Sequence, residues 1–289
     1  MSKIVLGTVQ FGLPYGISNK RGQIPRKEVF DILGTALKSG ITMLDTANAY
    51  GDSEQVIGDF IREKRLKFKI ISKLPQCKIG QVKTIAEESL DRLAIKSFYG
   101  YLFHDIRTYV KDPAIYKLLC GLKEKRVIRK IGFSLYNTKD LEFILKKNIK
   151  IGLVQVPYSV FDRRFEKYFT LLKKKNIEIH VRSVFLQGLV FKNPETLPNY
   201  FNPAKSNLSA FIRISRESGI PLVSLALGFV LSNRLIDKVL VGVDSLKNLR
   251  EIINSQDDMK RVRAVYSKLA LLEIRNNKIL LPFNWKGCN

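Results

Sequence analysis

Cysteine is scarce in this sequence of 289 residues, and the three cysteines form no pattern. Cys77, Cys120 and Cys288 are far apart, with neither a C-x-x-C pair nor a cluster of cysteine and histidine. Zinc motifs need closely spaced cysteine and histidine ligands, so their usual signature is absent. We expect free thiols in a reducing cytoplasm, and no metal site.

Long apolar runs and phosphate-binding glycine motifs are also lacking. No apolar run approaches the ~18 residues of a membrane helix, and the chain begins almost at once with a strand-like run, residues 4–7, without the features of a signal peptide. Neither Gly-x-Gly-x-x-Gly nor a P-loop occurs, which excludes the usual signatures of a Rossmann domain and of a nucleotide kinase. The sequence predicts a cytoplasmic protein without a membrane partner.

Acidic residues are outnumbered, with 26 against 50 basic residues, and the formal net charge is +24. The basic residues are spread over the whole chain in short runs such as 123–126, 146–147 and 173–175, and aromatic residues do not interleave them. This spread favours solvated helix faces and a general attraction for anions. We therefore expect no nucleic-acid partner.

Short β-branched segments alternate with helix-period segments from end to end, which predicts parallel strands joined by helices. The expected strands are 4–8, 42–45, 69–73, 98–103, 129–134, 152–156, 178–183 and 238–242. Eight such units in 289 residues predict a single-domain α/β protein, a (β/α)8 or TIM barrel over residues 1–289.

The expected helices include 26–39, 53–63, 81–93, 113–125, 138–147, 166–175, 246–254 and 258–276. Ser53, just before Glu54, is the expected N-cap of the second of these. Two longer excursions, 11–25 and 185–208, follow the first and seventh strands, so we place both on the catalytic face together with the apolar tail 280–285.

Reactive side chains occupy the ends of three consecutive predicted strands. Asp45 ends the second strand, Lys73 the third, and His104 follows the fourth. Adjacent strands lie ~4.8 Å apart, so these side chains should be neighbours, and Tyr50 is near enough to Asp45 in sequence to turn back over them. This convergence predicts a catalytic site.

Residues 45–54, which read Asp-Thr-Ala-Asn-Ala-Tyr-Gly-Asp-Ser-Glu, resemble the signature of the aldo/keto reductase family. Residues 6–12, 131–134, 154–155 and 241–245 are similar to other segments of that family, and Lys73 and His104 fall at its remaining catalytic positions. Residues 181–188 are similar to reductases found among surface-polysaccharide biosynthesis proteins.

The resemblance implies reduction of an aldehyde or ketone, such as a sugar-derived carbonyl, by hydride transfer from NAD(P)H. Tyr50 would be the proton donor, and Lys73 would lower the pKa of Tyr50 from its usual ~10. Asp45 would keep Lys73 charged and oriented, while a neutral His104 would polarise the carbonyl oxygen.

The resemblance also implies the residues that hold the cofactor. They are Gly7, Thr8, Asp45, Ser134, Gln155, Arg182, Ser183, Phe185, Gly242, Asp244, Ser245 and Asn248. NADP(H) is the preferred cofactor, with NAD(H) as the second choice, and Lys247 and Arg250 are the cations nearest the expected ribose phosphate.

The chain departs from the family pattern at three of these places. Leu135 replaces a common Asn, Asn248 replaces a common Arg, and Arg182 replaces a Tyr that stacks on the nicotinamide. Because a guanidinium also stacks on planar rings, we expect Arg182 to take that role.

Several other residues carry weaker expectations. His180 alternates with its strand neighbours and is assigned to the barrel interior, whereas Tyr15, Phe161 and Trp285 are candidate walls for a small carbonyl substrate. The sequences of the loops on the catalytic face do not identify the carbonyl substrate. We expect a monomer or a weak homo-oligomer.

Two other functions fit the same residues. A barrel lyase could form a Schiff base on Lys73, and a binding protein without catalysis could use NADP(H) as a redox sensor.

Overall fold

Parallel strands close into a barrel in the computed structural model, which describes residues 2–17, 19 and 21–285. Each strand pairs with the next along the chain, and the last pairs with the first. The strands are β1 (Ile4–Gly7), β2 (Met43–Asp45), β3 (Lys69–Leu74), β4 (Phe98–Phe103), β5 (Ile128–Ser134), β6 (Leu153–Pro157), β7 (Glu178–Arg182) and β8 (Lys238–Gly242). The predicted (β/α)8 barrel is therefore confirmed.

Helices surround this barrel. Within the described residues the α-helices are α1 (Val9–Gly12), α2 (Arg26–Lys38), α3 (Ser53–Lys64), α4 (Val82–Leu93), α5 (Ile106–Lys111), α6 (Ala114–Glu124), α7 (Thr138–Lys146), α8 (Phe169–Lys174), α9 (Asn202–Ser218), α10 (Leu222–Ser232), α11 (Leu246–Asn254), α12 (Met259–Ala264), α13 (Tyr266–Ala270) and α14 (Asn277–Leu280). Cys288 lies outside the described residues.

The helices differ from expectation mainly after β7. The predicted helix 258–276 is broken into α12 and α13, and the excursion after β7 contains the start of α9. Neither α9 nor α10 was expected. The segment Leu222–Ser232 is apolar around nearly its whole circumference and almost entirely buried, so it carries no amphipathic period by which a helix could be recognised.

Two apolar regions hold the layers together. A small cluster inside the barrel consists of Val5, Met43, Ile71, Leu102, Leu153 and Leu240, and a larger one fills the space between the sheet and the helices. His180 is fully buried, with its Nε2 3.2 Å from a Glu178 carboxylate oxygen, in keeping with its expected place in the barrel interior.

No single helix among the described residues is long and apolar enough to cross a membrane. The helical stretches Asn199–Ser218 and Leu222–Ser232 meet the criterion only as a pair, and they are bent by 100° at the break between them.

A buried carboxylate joins β3, α3 and α4. Glu54 is 1% exposed and accepts hydrogen bonds from the hydroxyls of Ser72 (2.7 Å) and Ser89 (2.6 Å). Its second oxygen pairs with Arg92 Nη2 at 2.9 Å. Every contact comes from the barrel wall or from a helix packed on it, so the Glu of the signature segment is a structural residue.

We predict that Glu54→Ala destabilises the fold by about 3 kcal/mol or more, because it leaves Arg92 without its buried partner and two serine hydroxyls unsatisfied. Urea denaturation measures this change. Glu88→Ala is the matched control, since Glu88 is exposed and its carboxylate makes a longer contact, 3.7 Å, with the same guanidinium. This substitution should change stability by ~0.5 kcal/mol or less. Equal losses in the two variants would contradict the structural role of Glu54.

Candidate functional site

Lys73 lies at the centre of the residues that end β2 and β3. Its Nζ is 2.5 Å from Asp45 Oδ1, 2.8 Å from the Thr46 carbonyl oxygen and 3.4 Å from the Tyr50 hydroxyl. An ammonium has three N–H donors, so all three are directed at oxygen atoms. Lys73 and Asp45 are only 1% and 3% exposed, which makes them a buried ion pair with a phenol attached.

The second oxygen of Asp45 is held from the far side of the barrel. Gln155 on β6 donates from Nε2 to Asp45 Oδ2 at 2.6 Å, and the Ser134 hydroxyl lies 3.4 Å from Gln155 Oε1. Ser134 and Gln155 were expected only to hold a nicotinamide. The structure gives Gln155 a further role, because it satisfies and orients the carboxylate that pairs with Lys73.

His104 completes the predicted group of four at the mouth of the barrel. It directly follows β4, and its ring meets that of Tyr50 edge-on, with centroids 5.9 Å apart and planes at 82°. Asp45, Tyr50, Lys73 and His104 are therefore brought together, as the strand ends indicated.

The environment of these groups determines their protonation. Burial, together with the positive charges of Lys73 and Arg182, lowers the pKa of His104 to about 4, so its imidazole is neutral at pH 7. Burial is the strongest single influence on Lys73 and lowers its pKa, but the Asp45 carboxylate and the Tyr50 phenol together outweigh it, so the net shift is upward and Lys73 is charged.

Tyr50 differs from expectation. Lys73 does act to lower the pKa of Tyr50, but burial of the phenol opposes it more strongly, so the pKa lies above its usual value. The expected net lowering is therefore wrong for the free site, because removing a phenolate from water costs more than the nearby Lys73 ammonium offsets. Tyr50 is a protonated phenol at neutral pH.

The turn that carries Tyr50 packs directly against the start of the chain. A Cβ atom on Gly12 would lie 1.9 Å from the Tyr50 carbonyl oxygen, and one on Gly51, whose φ is +55°, would lie 2.4 Å from the Gly12 carbonyl oxygen. Glycine is required at both positions. Ser53 is not the expected N-cap; it is the first residue of α3, and its hydroxyl donates to the Thr8 carbonyl oxygen at 2.9 Å.

A cleft of about 430 Å³ runs from Tyr50 and His104 past the ends of β1 and β8. Of the residues expected to hold a cofactor, those that line it are Gly7, Thr8, Asp45, Ser134, Gln155, Arg182, Ser183, Phe185, Gly242, Asp244 and Asn248. Ser245 does not line it. Its hydroxyl instead accepts the Asn248 N–H at the start of α11.

The end of the cleft far from Tyr50 is acidic. Asp244, Asn248 and Glu251 line it, whereas Lys247 and Arg250 are exposed and lie outside the lining. The cations that the sequence suggested for a ribose phosphate therefore do not face this space.

The start of α11 at the same end is already occupied by a carboxylate. Glu28 accepts the Leu246 N–H at 3.1 Å and pairs with Arg21 at 2.7 Å. Arg21 also donates to the carbonyl oxygen of Asp244 at 3.1 Å.

Arg182 takes a position that the sequence did not suggest. Its guanidinium carbon lies 3.9 Å from the centroid of the Tyr136 ring, and Nη2 donates to the Leu135 carbonyl oxygen at 3.0 Å. One face of the guanidinium is thus covered by a tyrosine of this chain, and only the other face is left for a cofactor ring.

Of the three candidate substrate walls, only Tyr15 lines the cleft, and its hydroxyl accepts a hydrogen bond from Gln187 Nε2 at 2.8 Å. Phe161 is 1% exposed and packs against Phe211 in the core. Trp285 is 4% exposed and packs against Phe201. The expectation for Phe161 and Trp285 is wrong, because both rings are covered by helices instead of facing the cleft.

Several lining residues were missed from the sequence, among them Gln10, Tyr136 and Glu251. Gln10 and Tyr136 follow β1 and β5, and Glu251 lies one helical turn after Asn248. Only the last had a usable signal, since residues three apart on a helix share a face. Among the described residues, no cluster of His, Cys, Asp and Glu is arranged to hold a metal ion.

A (β/α)8 barrel with reactive side chains at the carboxyl ends of its strands is the architecture of a barrel enzyme. The chain belongs to the aldo/keto reductase family, whose model matches residues 3–267. Membership of this family supports the assignment of the protein as an oxidoreductase enzyme.

Two curated relatives are similar over most of their length. The uncharacterized oxidoreductase YqkF of Bacillus subtilis is 25% identical over 254 residues, covering 80% of this chain and 82% of the relative. The L-galactose dehydrogenase of Arabidopsis thaliana is 24% identical over 261 residues, covering 83% and 81%. Among solved structures, the holo form of aldo-keto reductase AKR11C1 from Bacillus halodurans shares the fold, with a TM-score of 0.72 at 22% identity over 91% of this chain and 92% of that chain.

We predict that His104 titrates near pH 4, far below the usual histidine value of ~6.5. The chain has two histidines, so NMR titration with His104→Asn for assignment can follow this imidazole directly. Arg182→Gln should raise the midpoint because one opposing positive charge is removed, whereas the exposed control Arg213→Gln should leave it unchanged. A wild-type midpoint near 6.5 would contradict the buried, cation-flanked environment.

Proposed function

We propose that this protein reduces an aldehyde or ketone with NAD(P)H as the hydride source and Tyr50 as the proton donor. One observation carries the proposal: the Tyr50 hydroxyl is 3.4 Å from Lys73 Nζ, which Asp45 holds at 2.5 Å. The phenol lines a cleft beside a neutral imidazole. This arrangement supplies a proton and a hydrogen bond to the same carbonyl oxygen.

The residues along the cleft fit a dinucleotide. Gly7 and Gly242 are paired in register at the ends of β1 and β8, and a Cβ atom on Gly242 would lie 2.9 Å from the Gln10 side chain. Gln10 Oε1 is buried and has no hydrogen-bond partner among the described residues. A surface of backbone with one unsatisfied acceptor is suited to a polar ligand, and Ser134 and Gln155 would hold the carboxamide.

When bound, NAD(P)H supplies a hydride to the carbonyl carbon. Negative charge then develops on the carbonyl oxygen, which Tyr50 protonates and His104 stabilises with an N–H donor. Lys73 stabilises the tyrosinate that results, since its ammonium already points at the phenol oxygen. Asp45 and Gln155 keep that ammonium in place throughout.

The name of one relative bears on the substrate. L-galactose dehydrogenase is a sugar enzyme by its name, and this supports a sugar-derived carbonyl as one substrate class within the proposal.

The lyase alternative loses support from the position of Lys73. Lys73 is only 1% exposed, and all three of its N–H donors are directed at oxygen atoms. The Asp45 carboxylate helps to hold the pKa of Lys73 above its usual value. A Schiff base needs a neutral, accessible amine. Borohydride trapping should therefore yield no adduct on Lys73.

We predict that Tyr50→Phe lowers kcat for carbonyl reduction by ~10³-fold, within the range expected for loss of a general acid. Cofactor affinity, measured by quenching of protein fluorescence, should stay within about threefold because the phenyl ring still lines the cleft. Tyr116→Phe is the control, since Tyr116 lies on α6 and donates to the Lys150 carbonyl oxygen far from the cleft.

Retained turnover in Tyr50→Phe would exclude the proposed proton donor. Cofactor binding by the wild type, without turnover of any carbonyl compound, would instead favour the redox sensor.

The charge of the cleft also bears on the choice of nucleotide. The sequence alone favours NADPH, but a 2′-phosphate at the distal end would approach Asp244 and Glu251, and Glu28 already occupies the first amide of α11. Like charges brought close together repel strongly when partly desolvated. These contacts support NADH as the better ligand.

We predict that NADH binds more tightly than NADPH, and that Glu251→Gln strengthens NADPH binding by about tenfold because a repulsive charge is removed. NADH affinity should change by about twofold or less. Asp257→Asn, an exposed acid beyond the end of α11, is the control. Isothermal titration measures the affinity of all three proteins for both nucleotides, and tighter binding of NADPH to the wild type would refute the preference.

A further inference from the structure

Arg182 extends across the mouth of the barrel. It is the last residue of β7 and pairs with Pro157 of β6, yet its Nη2 reaches the Leu135 carbonyl oxygen that follows β5. The side chain therefore passes over the end of β6, on the same side of the barrel as Tyr50 and His104. It lines the cleft in the region where a carbonyl substrate would be reduced.

The charge of the guanidinium is unpaired among the described residues. In the described part of the chain, no Asp or Glu forms an ion pair with Arg182, whereas the other cation of the site, Lys73, is paired with Asp45 at 2.5 Å. Asp105, beside His104, is paired with Arg107 instead. With His104 neutral and Asp45 balanced by Lys73, the site carries one uncompensated positive charge.

The unused donors of Arg182 lie in partly desolvated surroundings. Five N–H bonds are available on a guanidinium, and two are used, by the Leu135 carbonyl and the Ser183 hydroxyl, which leaves three. One of these is on Nε, an atom that is buried and has no partner among the described residues. A buried charged donor without a partner is costly.

The groups around the guanidinium are complementary to an anion. Tyr136 covers one face at 3.9 Å, and the terminal nitrogens form a fork of the kind that matches a two-oxygen acceptor. Arg182 also acts on Tyr15 and His104, opposing the rise in pKa of the first and adding to the fall in pKa of the second. Its charge is therefore felt on both sides of the cleft.

We propose that Arg182 binds an oxyanion, a carboxylate or a phosphate, carried by the carbonyl substrate, so that this enzyme is specific for acidic aldehydes or ketones. The inference rests on the proposed carbonyl reduction and adds the class of substrate. The oxyanion accepts from free N–H donors of the guanidinium, and its charge balances the one unpaired cation of the site. Arg182 thereby determines which substrates are accepted.

The test compares matched acidic and neutral substrates. The pairs are 4-oxobutanoate with 4-oxobutanamide, 2-oxobutanoate with 2-oxobutanamide, and glyceraldehyde 3-phosphate with glyceraldehyde. In the wild type we expect kcat/KM to favour the acidic member of at least one pair by about 30-fold or more, chiefly through KM. The pair with the largest ratio identifies the carboxylate or the phosphate as the group that is bound.

Substitution of Arg182 then tests whether that preference belongs to this residue. Within Arg182→Gln the ratio of acid to neutral substrate should fall to about one, whatever the absolute activity of the variant. Arg182→Lys should recover part of the ratio, because it restores the charge without the fork. Arg213→Gln, an exposed arginine on α9, removes the same charge and should keep the wild-type ratio.

A binding measurement separates the substrate from the cofactor as the source of the anion. Succinate, which has no carbonyl to reduce, should shift the NMR signals of His104 in the wild type and not in Arg182→Gln. If Arg182→Gln instead loses NADH affinity tenfold while the acid preference persists, Arg182 serves the cofactor diphosphate and the inference is overturned.

Equal kcat/KM for the members of every pair in the wild type would also overturn the inference while leaving carbonyl reduction intact. Absence of turnover with all six compounds, together with no succinate effect on His104, would overturn it as well. Failure of carbonyl reduction itself is recognised separately, by cofactor binding without turnover of any carbonyl compound.

Discussion

The buried pair of Lys73 and Asp45 is the interaction on which the site depends. Moving two such charges out of water costs several kcal/mol for each ion, and the cost is offset only because both groups are fully hydrogen-bonded. The Thr46 carbonyl and the Tyr50 hydroxyl accept from Lys73, while Gln155 donates to Asp45. These partners come from β2, β3, β6 and the turn after β2, so the pair is stable only in a closed barrel of this register. A slip of one residue would turn each side chain to the opposite face of the sheet.

Most of the barrel could be predicted from the sequence, because short apolar segments alternating with amphipathic ones admit few arrangements. Asp45, Lys73 and His104 could be placed together since the carboxyl ends of neighbouring parallel strands meet at one edge. The contact between Gln155 and Asp45 could not be predicted. It crosses the interior between strands that are not neighbours, and neither spacing nor periodicity reports which residues face each other across a closed barrel.

Other differences have equally local causes. The helix at Leu222–Ser232 is buried on nearly all sides and so lacks the polar face by which helices are recognised. Phe161 and Trp285 follow strands or loops, just as Tyr15 does. The sequence does not show whether an aromatic ring is covered by a helix or exposed in a cleft. The pKa of Tyr50 depends on burial as well as on Lys73, and the expected closeness of the two residues does not reveal how deeply the phenol is buried.

The loops after β1 and β7 touch each other above the cleft, through the hydrogen bond between Tyr15 and Gln187, and Arg21 connects the first of them to the carbonyl of Asp244. A long molecule lying along the strand ends would be enclosed beneath these two crossings. It would have to be threaded in end first or wait for both contacts to open. Its departure would then require these two contacts to break in addition to its own contacts with the floor of the cleft, which would lengthen its residence time.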